Sequence, residues 1–173
     1  MNFRSQPPSF DQIQNNRSDA LKLTSHTNYA IRMLMFCASK QELARVSEIA
    51  DFYDLPEKFL FKILGGLTAN GFVETVRGRN GGIKLAQPPE EISLGEVVRV
   101  MEENFEMAEC FKEGEVTCPL VATCGLNGAL NRALSAFFEV LDEYTIADLT
   151  KKEHNINVLL ELNNAMQQPL EIN

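Results

Sequence analysis

Residues 24–86 constrain the fold most strongly, because their pattern changes from helical periodicity to a glycine-rich hairpin. In the first stretch, residues 24–39, apolar side chains recur three and four positions apart, which is typical of a helix with one buried face. These side chains are Tyr29, Ala30, Met33, Leu34 and Cys37. Thr24 can cap a helix N-terminus, so this stretch is predicted to form the first helix.

Two short helices are predicted to follow. The second begins after Ser47 and can run only to Asp54. The third is predicted to start with a capping box of Asp54 and Glu57, and Asn70 with Gly71 closes it. Its apolar face consists of Leu60, Ile63, Leu64 and Leu67. Two short helices joined by a tight turn, behind a longer first helix, are typical of a helix-turn-helix.

A small hairpin is predicted next. Residues 72–77 and 83–86 are rich in β-forming side chains, and Asn80 with Gly81 between them is a hairpin signal. A hairpin attached to a helix-turn-helix makes a winged helix. The glycines do not fit a nucleotide-binding loop, because no Gly-Lys-Ser/Thr follows and the segment does not open a helix.

Two groups of residues are candidate DNA contacts. The third helix would present side chains to the major groove, while the basic tip of the hairpin suits phosphates or a narrow minor groove. The helix candidates are Glu57, Lys58, Phe61 and Lys62, and the hairpin candidates are Arg77, Arg79 and Asn80. Each of these could read a base or only contact a phosphate.

The charge is distributed unevenly along the chain. The net charge is −8, yet residues 21–90 carry nine basic and seven acidic groups, whereas residues 91–173 carry five basic and fifteen acidic groups. The mildly basic first half can bind the phosphate groups of a nucleic acid, and the acidic second half would then face away from them.

Composition limits the class of protein. With 45% hydrophobic and 23% charged residues, the chain can bury a sizeable core. It has no apolar run near the roughly 20 residues of a membrane span, and residues 1–20 lack the apolar region of a secretory signal. We therefore expect a cytoplasmic protein without a membrane partner. Its predicted divisions are an N-terminal extension (1–20), a DNA-binding domain (21–90), a region of cysteine loop and dimerisation helices (91–151) and a tail (152–173).

A long apolar helix is predicted near the C-terminus. Ser93 and Glu96 form a capping box that opens a fourth helix through about Glu103, and the long helix starts at Leu126. Its apolar seam consists of Leu126, Leu130, Ala133, Leu134, Phe137, Val140, Leu141 and Tyr144. Such a helix is too apolar for a monomer's surface, so it is predicted to pair with a second copy. The alternative is that it packs only on its own domain.

Three cysteines lie between these helices as Cys-x7-Cys-x5-Cys: Cys110, Cys118 and Cys124. Clustered thiols in a reducing compartment more often bind metal or do redox chemistry than form disulfides. Structural zinc would want a fourth Cys or His, and His26 and His154 are far off in sequence. Because an iron-sulfur cluster tolerates an incomplete thiolate set better, it is favoured over zinc and over chance. No histidine near the cysteines suggests a catalytic partner, so no enzyme is predicted.

Five segments together resemble the Rrf-type winged-helix regulators, which include IscR, NsrR and RirA. The resemblance covers residues 21 to about 151. The segments are LTSHTNYAIRMLMFCA, VSEIADFYDLPEKFLFKIL, VETVRGRNGGIKLAQP, AECFKEGEVTCPLVATCGLNGAL and NRALSAFFEVLDEYTIADL. The residues around the cysteines, with MLMFCA in the first helix, are most similar to RirA, the rhizobial iron regulator.

This resemblance implies a mainly α winged helix-turn-helix protein with a two-stranded wing, a cluster loop and a long dimerisation helix. It implies a cytoplasmic homodimer that binds double-stranded promoter DNA and represses transcription, with a 4Fe-4S cluster on Cys110, Cys118 and Cys124; a 2Fe-2S cluster is the alternative. Similarity to RirA implies repression of iron-uptake genes. The alternatives are a nitric-oxide-sensing or cluster-biogenesis-type repressor of the same family and, more remotely, a redox or electron-transfer protein.

Two positions depart from the family's pattern. Asn28 stands where NsrR relatives can carry an aspartate ligand, and Asn127 stands where IscR has a histidine ligand. The nearby carboxylates are Glu102, Glu103, Glu106 and Glu109, but an acidic run is usually a solvated loop. An iron without a strong fourth protein ligand would be lost more easily, and this lability suits a sensor of iron.

Overall fold

The computed structural model describes residues 22–40, 43–79, 81–111, 118–120 and 123–151. Within these ranges the helices are α1 (Ser25–Ser39), α2 (Val46–Tyr53), α3 (Glu57–Ala69), α4 (Leu94–Met101), α5 (Gly125–Asp142) and α6 (Ile146–Leu149). The strands are β1 (Val73–Val76) and β2 (Gly82–Leu85), and a single 3₁₀ turn spans Glu109–Phe111. The predicted N-terminal extension, 1–20, and the predicted tail, 152–173, lie outside the described residues.

The first helix is where the sequence predicts it. The Thr24 hydroxyl accepts a hydrogen bond from the Thr27 N–H at 3.3 Å, which satisfies one of the free donors at the helix start. The buried face of α1 contributes Ala30, Met33, Leu34 and Cys37 to the core. Helices α3, α4 and α6 and strand β2 all pack on α1, so α1 is the central element of the fold.

The start of α2 and the start of α3 both differ from the sequence prediction. Helix α2 begins at Val46 instead of after Ser47, because the Glu48 carboxylate accepts the Arg45 N–H at 2.8 Å and closes the first turn. The predicted capping box of Asp54 and Glu57 is wrong. Asp54 has left-handed backbone (φ 52°) and ends α2, so it is not available to begin α3, whose N-cap is Pro56.

The predicted hairpin is confirmed, and it is tied to the body of the domain. Strands β1 and β2 pair antiparallel, from Val73 opposite Leu85 to Val76 opposite Gly82. Residues 77–81 form the connecting loop, in which Asn80 lies outside the described residues. On its other edge, β2 exchanges two backbone hydrogen bonds between Ala44 and Ile83, at 2.9 and 2.7 Å. The sequence did not indicate this pairing of Ala44 with Ile83, which fixes the wing to the segment before α2.

Because Ala44 approaches the wing closely, we expect alanine substitutions at two glycines to change the free energy of unfolding in opposite directions. A Cβ at Gly82 would lie 2.6 Å from the Ala44 carbonyl oxygen, whereas a Cβ at Gly65 in α3 would meet nothing within 4 Å. Gly82→Ala should lower the free energy of unfolding by about 2 kcal/mol, because the backbone at Ala44 or at position 82 must shift to make room for the Cβ. Gly65→Ala should raise it by about 1 kcal/mol through helix propensity. Urea denaturation of both variants measures this, and equal effects would contradict the close contact.

The fourth helix joins the DNA-binding half to the long helix. The Ser93 hydroxyl accepts the Glu96 N–H at 3.4 Å, as predicted, but α4 ends at Met101 instead of Glu103 because Glu102 adopts extended backbone. Val97, Val98 and Met101 are buried, and α4 packs against both α1 and α5. The segment that carries the cysteines begins directly after this helix.

The C-terminal end of α5 is clamped to α4. The Arg99 guanidinium donates two hydrogen bonds to the Asp142 carboxylate, at 2.7 and 2.6 Å, and lies 4.3 Å from the centre of the Phe138 ring. The Leu94 N–H also donates to the Tyr144 carbonyl at 2.9 Å. These contacts hold one end of α5, while its other end begins at the cysteine loop.

Candidate DNA-binding face and cysteine loop

Helix α3 presents one exposed face that includes all four predicted DNA contacts. The opposite face is buried in the core. The exposed residues are Glu57, Lys58, Phe61 and Lys62, followed by Gly65. Their spacing places them on one side of a helix, since positions three and four apart are neighbours there. Phe61 lies at the centre of this face and is 54% exposed. We call these five residues the α3 face.

The wing, whose first strand packs on α3, adds further exposed basic groups. Arg77 and Arg79 are both exposed, whereas the predicted contact Asn80 lies outside the described residues. Lys84 on β2 is paired with Glu74 across the hairpin. Among the described residues, Lys58, Lys62, Arg77 and Arg79 form no ion pair. These four cations therefore remain available for a polyanionic partner.

The predicted dimer seam on α5 divides into two faces. The half-buried residues face the chain's own domain, and they are Leu130, Leu134, Phe137 and Leu141. The exposed residues lie along the other edge of the seam, and they are Leu126, Ala133 and Val140 on α5 with Tyr144 just beyond its C-terminal end. Leu126, Val140 and Tyr144 are 61%, 53% and 45% exposed. We call this second group the outer α5 face. One side of the seam packs on the chain's own domain and the other is apolar and exposed in the single chain, so pairing with a second copy stays a prediction.

The three cysteines lie in the segment between α4 and α5. Cys110 is in the 3₁₀ turn and Cys124 is the N-cap of α5. Cys118 lies between two stretches, 112–117 and 121–122, that are outside the described residues. All three are free thiols of intermediate exposure. Within the described residues, no three His, Cys, Asp or Glu side chains are grouped so that they could hold a metal ion.

The donor set nevertheless fits a soft-metal group in its chemistry. Three partly exposed thiols are suitable ligands for iron-sulfur or zinc chemistry, and none is consumed by a disulfide. Cys37 differs from them, because it is 6% exposed on the inner face of α1. Burial raises the pKa of the Cys37 thiol to about 12, although Lys40 opposes the shift, so this cysteine stays protonated and packs as an apolar side chain. Binding through Cys110, Cys118 and Cys124 stays a prediction.

The candidate fourth ligands are either exposed or already hydrogen bonded. Asn28 is exposed on α1, and the Asn127 amide oxygen accepts a hydrogen bond from Asn131 at 2.9 Å. The Glu102 carboxylate accepts the N–H and the hydroxyl of Thr24, at 3.0 and 3.2 Å. Glu103 and Glu106 are exposed. The side chain of Glu109 lies outside what the structure describes.

Sequence reasoning missed two features near the site. Glu102 joins the end of α4 to the start of α1, where its charge also favours the helix N-terminus. Next to this contact is a cavity of about 650 Å³, lined by residues 22–24, residues 102–107 and three side chains of α5, Ala133, Leu134 and Phe137. The middle of α5 therefore packs loosely against the segment that leads into the cysteine loop. No sequence pattern indicated the first feature, because Glu102 lies inside the predicted fourth helix and becomes its C-cap only in the structure.

Comparison with known proteins gives the family. Residues 23–152 match the Rrf2 family, described as Iron-dependent Transcriptional regulator. Protein aau3 of Rhizobium meliloti (strain 1021) is 59% identical over 82% of this chain and 93% of its own length. The regulator NsrR of Bacillus licheniformis is 44% identical over 81% of this chain and 99% of its own length.

A solved structure gives the same fold. The oxidized form of CymR from Staphylococcus aureus is 26% identical, covers 76% of this chain and 97% of its own, and superposes with a TM-score of 0.61. No helix among the described residues has the length and apolar character needed to cross a membrane. The mainly helical winged-helix prediction is confirmed, whereas the particular likeness to RirA stays a prediction. The matches indicate a transcriptional regulator and no enzymatic family. The chain therefore belongs to the Rrf2 family of winged-helix, DNA-binding transcriptional regulators.

Proposed function

We propose that this protein is an iron-responsive repressor of iron-uptake genes. It acts as a homodimer on promoter DNA, and its operator binding depends on an iron-sulfur cluster held by Cys110, Cys118 and Cys124. The observation that carries the proposal is the position of these free thiols, on the one segment that joins α4 to α5. The family description as iron-dependent supports iron as the signal.

The cysteine segment lies between the DNA-binding half and the outer α5 face. Helix α4 packs on α1, and α5 carries the apolar surface that a second copy would cover. Because the Arg99 and Asp142 contact fixes the far end of α5, a constraint at Cys124 acts on the free end. That constraint changes how two DNA-binding halves are spaced in a dimer, and spacing decides whether two half-sites are engaged together.

When bound, the cluster supplies an iron-dependent cross-link among three thiolates; we favour a 4Fe-4S form, with 2Fe-2S as the alternative. The cysteines hold the segment between α4 and α5 in one arrangement, and α4 transmits that arrangement to α1 through its buried face. Asn28 and Asn127 offer only weak amide oxygens, so iron would be held loosely enough for scarcity to release it. The protein then populates its second, non-binding state.

Anaerobic purification followed by two measurements tests this function. We expect a brown protein with iron-sulfur absorbance that shifts a promoter fragment of an iron-uptake gene, and we expect mild iron chelation to abolish both signals together. A colourless protein that binds the same fragment equally with and without chelator would reject the proposal. Failure to shift any promoter fragment in either state would instead favour the redox or electron-transfer alternative.

Nitric oxide is a second candidate signal. The 44% identity with a regulator named NsrR favours it. The two signals act on the same cluster by different chemistry, since nitric oxide nitrosylates iron whereas scarcity removes it. Operator release by stoichiometric nitric oxide but not by mild chelation would assign the protein to this second function.

The wing arginines predict a change in salt dependence. Arg77 and Arg79 are exposed cations at the wing, and each phosphate contact contributes about 0.9 to the slope of log affinity against log salt concentration. The double variant Arg77→Ala with Arg79→Ala should therefore bind DNA more weakly and with a shallower slope. Lys84→Ala is the matched control, because Lys84 is already paired with Glu74 on the wing. Fluorescence anisotropy at several salt concentrations measures both, and an unchanged slope in the double variant would contradict the contact.

A further inference from the structure

Phe61 is the unexplained residue of the α3 face. It is 54% exposed in the second turn of a 13-residue helix whose other large apolar side chains pack in or against the core. Leaving a phenylalanine in water forgoes the favourable free energy of burying its ring. An exposed aromatic ring at the centre of a surface that is otherwise charged therefore indicates a partner with an apolar group at that point.

Its neighbour Phe59 shows that the exposure of Phe61 is not a general property of this helix. Phe59 is half-buried, and its ring meets the ring of Tyr29 edge-to-face at 5.8 Å between centroids, which joins α3 to α1. Two residues further on, the helix has turned by about 200°, so Phe61 points away from that contact. Phe59 has a structural role, and Phe61 is left for a different one.

The surroundings of Phe61 suit the edges of DNA bases. Lys58 and Lys62 flank it, and their charges favour phosphates on either side. One turn further along, Gly65 has no side chain and nothing within 4 Å of its ideal Cβ position. The ring therefore stands on an open surface between two cations, with room beyond it for a base pair to approach.

We propose that Phe61 reads thymine by packing its ring on the C5-methyl group in the major groove of the operator. The thymine methyl is the apolar group displayed on base edges in that groove, so an apolar side chain there selects thymine. This inference rests on the proposed function, in which α3 is the recognition helix. It separates two roles on one face: Lys58 and Lys62 supply affinity for any duplex, and Phe61 supplies sequence preference.

Replacing thymine with deoxyuridine tests the inference directly, because it removes the methyl group and leaves the base-pairing atoms in place. The probe is a duplex selected from a random-sequence pool by the full-length protein, purified anaerobically. Thymines of that duplex are then replaced one at a time, and next at matching positions of both half-sites. We expect at least one position per half-site at which the replacement weakens wild-type binding about fourfold, as one buried methyl-sized group implies. Replacement in both half-sites should weaken it about sixteenfold, the product of the two fourfold effects.

The variant Phe61→Ala should bind the thymine and deoxyuridine duplexes equally. Lys62→Ala is the matched control from the same face: it should weaken binding to every duplex and keep the fourfold ratio between thymine and deoxyuridine. Because both side chains are exposed, both variants should unfold at the temperature of the wild type, and circular dichroism verifies this.

Two results would overturn the inference in distinguishable ways. If the selected duplex binds but no thymine is sensitive to loss of its methyl group, or if Phe61→Ala keeps the full ratio, the role of Phe61 is wrong and the proposed function stands. If no duplex is enriched from the pool in either the iron-loaded or the iron-free state, the proposed function itself fails, and the role of Phe61 fails with it.

Discussion

Replacing Cys118 with alanine is expected to abolish both the brown chromophore and specific operator binding. Cys118 supplies one of only three thiols between α4 and α5, and with two remaining the cluster has too few strong ligands to persist. Operator affinity should fall to the level of non-specific binding, about a thousandfold or more weaker. The absorbance spectrum and a gel shift of the same anaerobic preparation measure the two losses together.

Cys37→Ala is the matched control for this result. The substitution is chemically the same, but Cys37 is buried on the inner face of α1 and its raised pKa keeps it protonated. The control should keep the chromophore and operator binding, and should lose about 1 kcal/mol of stability as a small core truncation does. Iron-controlled operator binding by Cys118→Ala, or loss of the chromophore in Cys37→Ala, would show that the proposed ligand set is wrong.

Local patterns in the sequence predicted the elements of the fold because the forces that form them are local. The Thr24 cap and the apolar spacing of α1 and α3 depend on residues within a turn of one another, and the structure confirms them. The capping box at Asp54 failed for a local reason as well. Asp54 and Pro56 lie so close together that the end of α2 and the start of α3 compete for the same residues.

Contacts between distant residues could not be predicted in the same way. The Arg99 and Asp142 clamp joins residues 43 positions apart, and no periodicity indicates such a pair. The Ala44 bridge to the wing and the Glu102 contact with Thr24 have the same character. For the candidate site, sequence identified exposed residues on α3 correctly, since a helix has only one outer face once its apolar face is known. It could not place the cysteines relative to one another, because loop geometry follows from packing and bound ligands.

The second prediction with a large expected effect is that the outer α5 face forms the dimer contact. Glutamate at both Leu126 and Val140 should convert the protein to a monomer, because two carboxylates would have to lose their hydration on the surface that a second copy covers. Leu126 and Val140 are 61% and 53% exposed in the single chain, so the monomer should stay folded. Operator affinity should fall at least about a hundredfold, since the second half-site no longer binds as part of the same complex.

Ser135→Glu is the control, because Ser135 is exposed on α5 but lies off the outer α5 face. It adds charge to the same helix without reaching the proposed interface, so mass and affinity should stay those of the wild type. Light scattering gives the mass, and anisotropy with a two-half-site duplex and with a single half-site gives the affinities. The affinity of the double variant should differ from that of the wild type only on the two-half-site duplex. A double variant that remains dimeric would place the contact elsewhere on the chain, and the cysteine segment would then have no route through α5 to the spacing of the DNA-binding halves.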